Sequence, residues 1–296
     1  MDNSTNEWIK AGIIAKNVKD YARHIIKPDM SLYDVSERIE AKIREFNAVP
    51  AFPVNLSLNS TAAHYTPIKN DNLFFENNVV KIDIGVCYNG AIGDTAFTLD
   101  FTGKYSKLVE ASNEALKNAS KILAIGTTLG EIGKTIQETI NSYGYVPIKN
   151  LSGHGLDYYK VHTSPQIPNY NTNDSTELKK GMKIAIEPFA TDGAGLIKES
   201  GEAVIFSQIG KNPVRDIAAR KVLKEINEFK NLPFAFRYFK DKYSVPRLKF
   251  ALKMLKMANN IKEYPPLVEE KRGIVTQAEN SFLIDDKVIN LTENKN

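Results

Sequence analysis

Residues 78–99 read NVVKIDIGVCYNGAIGDTAFTL, and this stretch decides the fold. Val80, Ile82, Ile84 and Val86 alternate with Lys81, Asp83 and Gly85, the period-two pattern of a strand with one face in a core. Asn89-Gly90 follows as a hairpin signal, because both residues tolerate positive φ. Beyond it, Asp94, Ala96 and Thr98 alternate with Thr95, Phe97 and Leu99. A two-residue loop at 89 and 90 sets Asp83 opposite Ala96 and makes Asp94 its diagonal neighbour, about 7 Å or less between side-chain roots. A three-residue loop would throw the two aspartates onto opposite faces. On one face, at that spacing, two carboxylates can share a cation.

Three further residues extend this polar set. Gly153-His154-Gly155 flanks an imidazole with residues that permit close backbone approach and unusual dihedrals, which predicts a ligand carried on a loop. In Lys183-Ile184-Ala185-Ile186-Glu187-Pro188, the isoleucines share one face, Ala185 and Glu187 share the other, and Pro188 limits further pairing. Glu187 therefore falls where a strand ends. Val275-Thr276-Gln277-Ala278-Glu279-Asn280-Ser281 places Glu279 on a β-rich segment. Four carboxylates and an imidazole drawn into one interior are very costly without compensating cations. Two divalent metals would supply that compensation.

In order along nearly the whole chain, the segments Ala62 to Pro67 (AAHYTP), Lys81 to Gly85, Asp94 to Thr98, Gly153 to Gly155, His162, Ile186 to Phe189, Tyr264 to Leu267 and Thr276 to Glu279 resemble methionine aminopeptidases of type II, in the archaeal form without an N-terminal extension. The resemblance implies an α+β pita-bread (creatinase/aminopeptidase) fold with two pseudo-symmetric halves. It further implies a catalytic domain over residues 1–192 and 271–296 and a mainly helical insertion over 193–270. The implied metal set is Asp83, Asp94, His154, Glu187 and Glu279, holding two divalent transition-metal ions; four oxygens and one nitrogen suit Co, Mn, Fe or Zn. In that set Asp94 and Glu279 bridge, Asp83 completes one shell, and His154 with Glu187 completes the other.

Catalytic roles implied by the same resemblance fall to Glu187, His64 and His162. A carboxylate beside the attacking water can accept its proton and return it to the leaving amine. Neutral imidazoles can donate to the developing oxyanion. Phe52, Val161 and Tyr264, with His64 and His162, match the wall of a methionine pocket, and aromatic rings suit a thioether. The implied activity is removal of the initiator methionine from nascent polypeptides whose second residue is small. Type II relatives are also inactivated by fumagillin-like epoxides at the histidine matching His64. One position departs: Asn280 stands where a histidine often follows the last glutamate, which bears on hydrogen bonding around the ligand rather than on the ligand itself.

Two alternatives share this fold. A proline-specific aminopeptidase or dipeptidase uses the same ligand set, whereas the Ala62 to Pro67 segment, the long insertion and the Tyr264 segment favour methionine. A non-catalytic ribosome- or RNA-binding relative would be expected to lose ligands, and all five are present here. Within the insertion, Asn212-Pro213 reads as a helix start before Ile217, Val222 and Ile226, and Arg247 to Asn260 reads as a second basic amphipathic stretch. A transient ribosome contact there is compatible with the charge pattern, but no specific nucleic acid is required.

Lys and Arg number 39 against 35 Asp and Glu, a formal charge of +4, and no like-charge block is long enough to form a nucleic-acid arm. A single cysteine, Cys87, cannot close an intrachain disulfide, so a reducing compartment is expected. With no 18-residue apolar run and no leader-like N-terminus, a soluble cytoplasmic monomer without membrane contact is expected. Near the N-terminus, Trp8, Ala11, Ala15, Val18 and Ala22 stripe a helix that stops before Pro28. A second helix starts near Ser31 with Val35, Ile39, Ile43 and Phe46 on its apolar face, and residues 52–58 then switch to strand alternation.

Overall fold

The computed structural model describes residues 3–69 and 71–293, with side chains described from residue 5. Helix α1 (Asn3–Ile25) buries Trp8, Ala11, Ala15, Val18 and Ala22, and α2 (Leu32–Glu45) buries Val35, Ile39 and Ile43. Ser31 caps α2 by accepting from the Asp34 amide, which satisfies one of the amides a helix start leaves unpaired. Both helices pack on a sheet centred on strand Val79–Tyr88, which pairs with Val49–Pro50, Asn55–Leu58 and Ala91–Asp100. Val80, Ile82, Ile84 and Val86 meet the helices in one core. The hairpin turns at Asn89 (φ 51°) and Gly90 (φ 98°), with Tyr88 opposite Ala91. That two-residue loop fixes the register expected above: Asp83 faces Ala96, and Asp94 faces Gly85. Strand alternation does not reach back to Phe52, which lies with Pro53 in the break between the paired stretches Val49–Pro50 and Asn55–Leu58.

The second half repeats the plan. Helices α3 (Ser106–Lys121) and α4 (Leu129–Ser142) share a core with strand Lys183–Ile186. Helix α4 opens with a capping box between Thr128 and Glu131. Its sheet is antiparallel throughout, in the order Ile289–Asn290, Asn280–Leu283, Lys183–Ile186, Ser152–Asp157, Lys160–Pro168. The two halves are stitched along strand Ala91–Asp100. Ala96 and Glu279 exchange backbone bonds of 3.3 and 3.1 Å, Thr98 Oγ1 donates to Gln277 O at 2.7 Å, and Ser281 Oγ both accepts from Asp94 N and donates to Asp94 O at 2.8 Å. This seam brings Asp94 and Glu279 side by side.

Residues 193–270, expected to be mainly helical, carry α5 (Ile217–Ile226), α6 (Val245–Met257) and also an antiparallel sheet of Phe234–Ala235, Ile205–Gln208 and Ile261–Tyr264. These elements have a core of their own. Helix α5 starts at an Asp216 cap rather than at Asn212-Pro213. Asn212 is instead spent on Asn260 and Ala258, through bonds of 2.6, 2.8 and 3.0 Å that join the two arms of the segment. Strand Leu267–Glu269 pairs with both Ile197–Glu199 and Thr61–Ala63, so the ends of the segment belong to the main body. Buried Glu269 holds them there by accepting from the Ala194, Gly195, Lys271 and Gly273 amides. Cys87 is buried, and among the described residues no helix is long and apolar enough to cross a membrane.

Candidate metal centre

Asp83, Asp94, His154, Glu187 and Glu279 all line one cavity of about 640 Å³ between the two halves. Asp94, His154 and Glu279 each offer a ligand atom within 4.8 Å of the others, and so do Asp83, Glu187 and Glu279. Glu279 belongs to both groups, while Asp94, the other carboxylate that the resemblance has bridging, belongs only to the first. The resemblance paired Glu187 with His154, whereas the second group pairs it with Asp83. Its carboxylate spans the two positions: Oε1 lies 3.6 Å from His154 Nε2, and Oε2 accepts at 3.3 Å from the Gln277 amide that also donates to Asp83 at 3.2 Å.

His154 lies within strand Ser152–Asp157, not on a loop as expected. Its flanking glycines serve close packing rather than unusual dihedrals. A Cβ on Gly153 would stand 2.3 Å from Ala185 O, and one on Gly155 would stand 2.2 Å from Ser164 O. His154 Nδ1 lies 3.2 Å from Gly155 O. Donation there leaves Nε2 as the lone-pair nitrogen facing Asp94 and Glu187.

Among the described residues no lysine or arginine forms an ion pair with these acids, and their titration reflects that, although Lys262 lines the cavity and Lys19 acts on Glu279 from a distance. Burial pushes Asp83 up to about 6, and burial and then mutual repulsion hold Asp94, Glu187 and Glu279 well above the ordinary carboxylate range. Burial also lowers His154 to about 4, which keeps its imidazole neutral. Glu279 Oε2 is buried without a hydrogen-bond partner among the described residues. An orphaned carboxylate oxygen, three further carboxylates and a neutral imidazole form a donor set that fits divalent cations.

The remaining residues gather at the apolar end. Phe52 stacks on His64 at 5.6 Å, meets Tyr264 at 5.4 Å and His162 at 5.8 Å, and His162 contacts His154 at 4.6 Å. Val161, also on the lining, is buried. Burial lowers His64 to about 4 against a hydrogen bond to the Pro265 backbone. His162 keeps one edge exposed, yet crowding by protein atoms, then His154 and His64, holds it well below the ordinary histidine range.

Two residues of the site escape a reading of the sequence alone. Gln277, with its amide between Asp83 and Glu187, ends strand Val275–Gln277 two residues before Glu279, and only the contacts it makes across the sheets mark it. Lys19 comes from α1 and donates to Thr95 Oγ1 at 2.9 Å and Asn280 Oδ1 at 3.1 Å, with burial lowering its pKa to about 8. Asn280 thereby points away from the cavity, into a network with Lys19, Thr292 and Glu293. Its departure from the common histidine leaves the cavity lining unchanged.

The model of metallopeptidase family M24 matches residues 7–211. The chain belongs to metallopeptidase family M24. It is 46% identical over 280 residues to a methionine aminopeptidase of Thermococcus onnurineus, covering 94% of this chain and 95% of that one. Its fold is that of a methionine aminopeptidase from Thermotoga maritima, with a TM-score of 0.72 at 23% identity over 99% and 98% of the two chains. A thermophilic Arx1 shares the fold with a TM-score of 0.84 at 14% identity, over 100% of this chain and 92% of that one. The M24 pita-bread architecture thus accounts for the paired helix-on-sheet halves.

Proposed function

We propose that the chain is a type II methionine aminopeptidase that removes the initiator methionine from nascent polypeptides with a small second residue. The observation that carries this is the convergence of all five candidate ligands on a cavity whose other end is Phe52, His64, Val161, His162 and Tyr264, in a chain 46% identical to a methionine aminopeptidase. Asp83, Asp94, His154, Glu187 and Glu279 would hold two divalent ions. Bound there, the ions would polarise the scissile carbonyl and lower the pKa of water near neutrality.

The chain's own groups perform the rest. Glu187 faces both halves of the ligand set and accepts the proton of the attacking water, then returns it to the leaving amine. His64 and His162, held neutral, donate to the carbonyl oxygen as charge develops on it. Their rings, with Phe52 and Tyr264, form the wall against which an unbranched thioether side chain packs. Gln277 orients Asp83 and Glu187 by donating to both.

The type II insertion is the self-contained unit between the strands anchored at 197–199 and 267–269, a narrower span than 193–270. A cytoplasmic setting fits the single buried cysteine, and the exposed lysines of α6 are compatible with transient ribosome contact. A matched panel of Met-Ala-Ser, Leu-Ala-Ser and Ala-Pro-Ser tests the reading. Equal rates on all three would exclude it and favour a broader or proline-directed peptidase.

A further inference from the structure

Arg237 reaches from the inserted segment into the wall behind the cavity. Its side chain is fully buried, its Nε lies 3.2 Å from Glu37 Oε1, and its terminal nitrogens donate to Glu40 Oε1 and Thr66 Oγ1. Glu40, equally buried, also accepts from Tyr238 Oη at 2.8 Å and from Val54 N at 3.3 Å. Thr66 in turn donates to Val54 O at 2.7 Å, and Leu56 N donates to Tyr65 O at 2.9 Å. These contacts end on two short stretches: residues 52–54, which carry Phe52, and residues 64–66, which carry His64. His64 has φ 61°, a backbone state unusual for a non-glycine residue, which persists where surrounding contacts over-determine it. Thr66, two residues on, is fixed from both sides.

We infer that Arg237 is a positioning residue that ties the inserted segment to the loops carrying Phe52 and His64, and so sets the width of the apolar end of the cavity. The inference rests on the proposal that this end receives the methionine side chain. A guanidinium suits the task because its planar fork serves three acceptors at once. Lysine keeps the charge as a single point and cannot hold Glu40 and Thr66 together. Deleting the charge would strand Glu40 in the interior and endanger the fold, so charge-keeping and acceptor-side variants are the useful ones.

The test compares R237K and T66V with the wild-type full chain, each metal-loaded. It reads kcat and KM on Met-Ala-Ser, metal content, and the rate at which diethyl pyrocarbonate modifies His64, followed by peptide mapping. The expected result in both variants is a KM raised about fivefold, the kinetic equivalent of one modest hydrogen bond, with kcat within about twofold. Metal content stays unchanged, and His64 reacts faster as its loop loosens. If R237K does not fold, R237Q/E40Q, which removes the guanidinium together with its buried carboxylate partner, replaces it, because T66V removes the donor to Val54 O as well as the acceptor for Arg237. Unchanged KM and unchanged His64 reactivity in the folded variants would overturn the inference. Loss of metal or of kcat with KM unchanged would also overturn it, by reducing Arg237 to scaffold. Should the wild type cleave no methionyl peptide, the proposed function fails, while His64 reactivity still decides whether Arg237 holds the loop.

Discussion

His154 Nε2 stands 3.6 Å from Glu187 Oε1, although the two residues lie 33 positions apart in sequence. The sheet makes the meeting: strands Ser152–Asp157 and Lys183–Ile186 are neighbours, His154 pairs with Ala185, and Glu187 follows where the second strand stops. Across the seam, Asp94 approaches from the other half, while Glu279 stands on the near side, its backbone bonded to Ala96. An imidazole held neutral therefore faces carboxylates held above their ordinary range by burial and by one another. A cation relieves both conditions at once, because it takes the lone pair of the first and the charge of the second.

Metal dependence follows. The chelated protein is expected to be inactive and to regain activity with two equivalents of a divalent transition metal. Protons and cations compete for the same oxygens, and Asp83 is raised to about 6. Asp94, Glu187 and Glu279 are also held well above their ordinary range, so metal affinity falls as pH drops through this raised carboxylate range, with protons released on loading. Titration calorimetry in buffers of different ionisation enthalpy measures the release. Full turnover after rigorous chelation would sink the metal reading.

Glu187→Gln keeps the shape of the side chain while removing a ligand charge and the proton acceptor. Activity should fall by at least about a hundredfold, the low end for losing a positioned acid-base group. Wild-type turnover in this variant refutes both roles. A loss matched by lower metal occupancy leaves only the ligand role.

The substrate's free α-amine and its first side chain should both matter. Met-Ala-Ser is expected to be cleaved well ahead of Leu-Ala-Ser, and N-acetylation should abolish cleavage. Turnover of the acetylated peptide at the rate of the free one would remove the aminopeptidase assignment.

The hairpin was legible because its register depends on local chemistry alone: Asn89-Gly90 dictates a two-residue loop, and the loop dictates the positions of Asp83 and Asp94. The nearness of Glu187 and Glu279 was not legible in the same way. It arises because strand Asn280–Leu283 returns beside Lys183–Ile186, with Asn280 opposite Ile186, after a detour through the inserted segment that no local pattern encodes. His154 misled as a loop residue because glycines signal both unusual dihedrals and tight packing, and only the backbone of Ala185 and Ser164 shows which applies. Gln277 and Lys19 stayed hidden for a related reason. Their partners are supplied by other elements, so nothing within a few residues of either one marks it.

His64 offers the sharpest test of the pocket. Burial, opposed by its hydrogen bond to the Pro265 backbone, lowers its pKa to about 4, so the ring carries a free lone pair throughout the range from about pH 5 to 8. Covalent inactivation by a fumagillin-like epoxide should therefore run at a nearly constant rate across that range. A histidine titrating near its reference value of about 6.5 would instead lose reactivity about tenfold per unit below it. Peptide mapping should find one adduct on the Ala62 to Pro67 segment, beside Phe52 and Tyr264. His64→Asn should resist the epoxide while binding metal as before, since none of the clustered ligand atoms belongs to His64. An adduct on His162 or Cys87 would overturn the placement of His64 in the pocket. The absence of any adduct in an active, metal-loaded enzyme would leave the hydrolytic chemistry standing and remove the type II assignment.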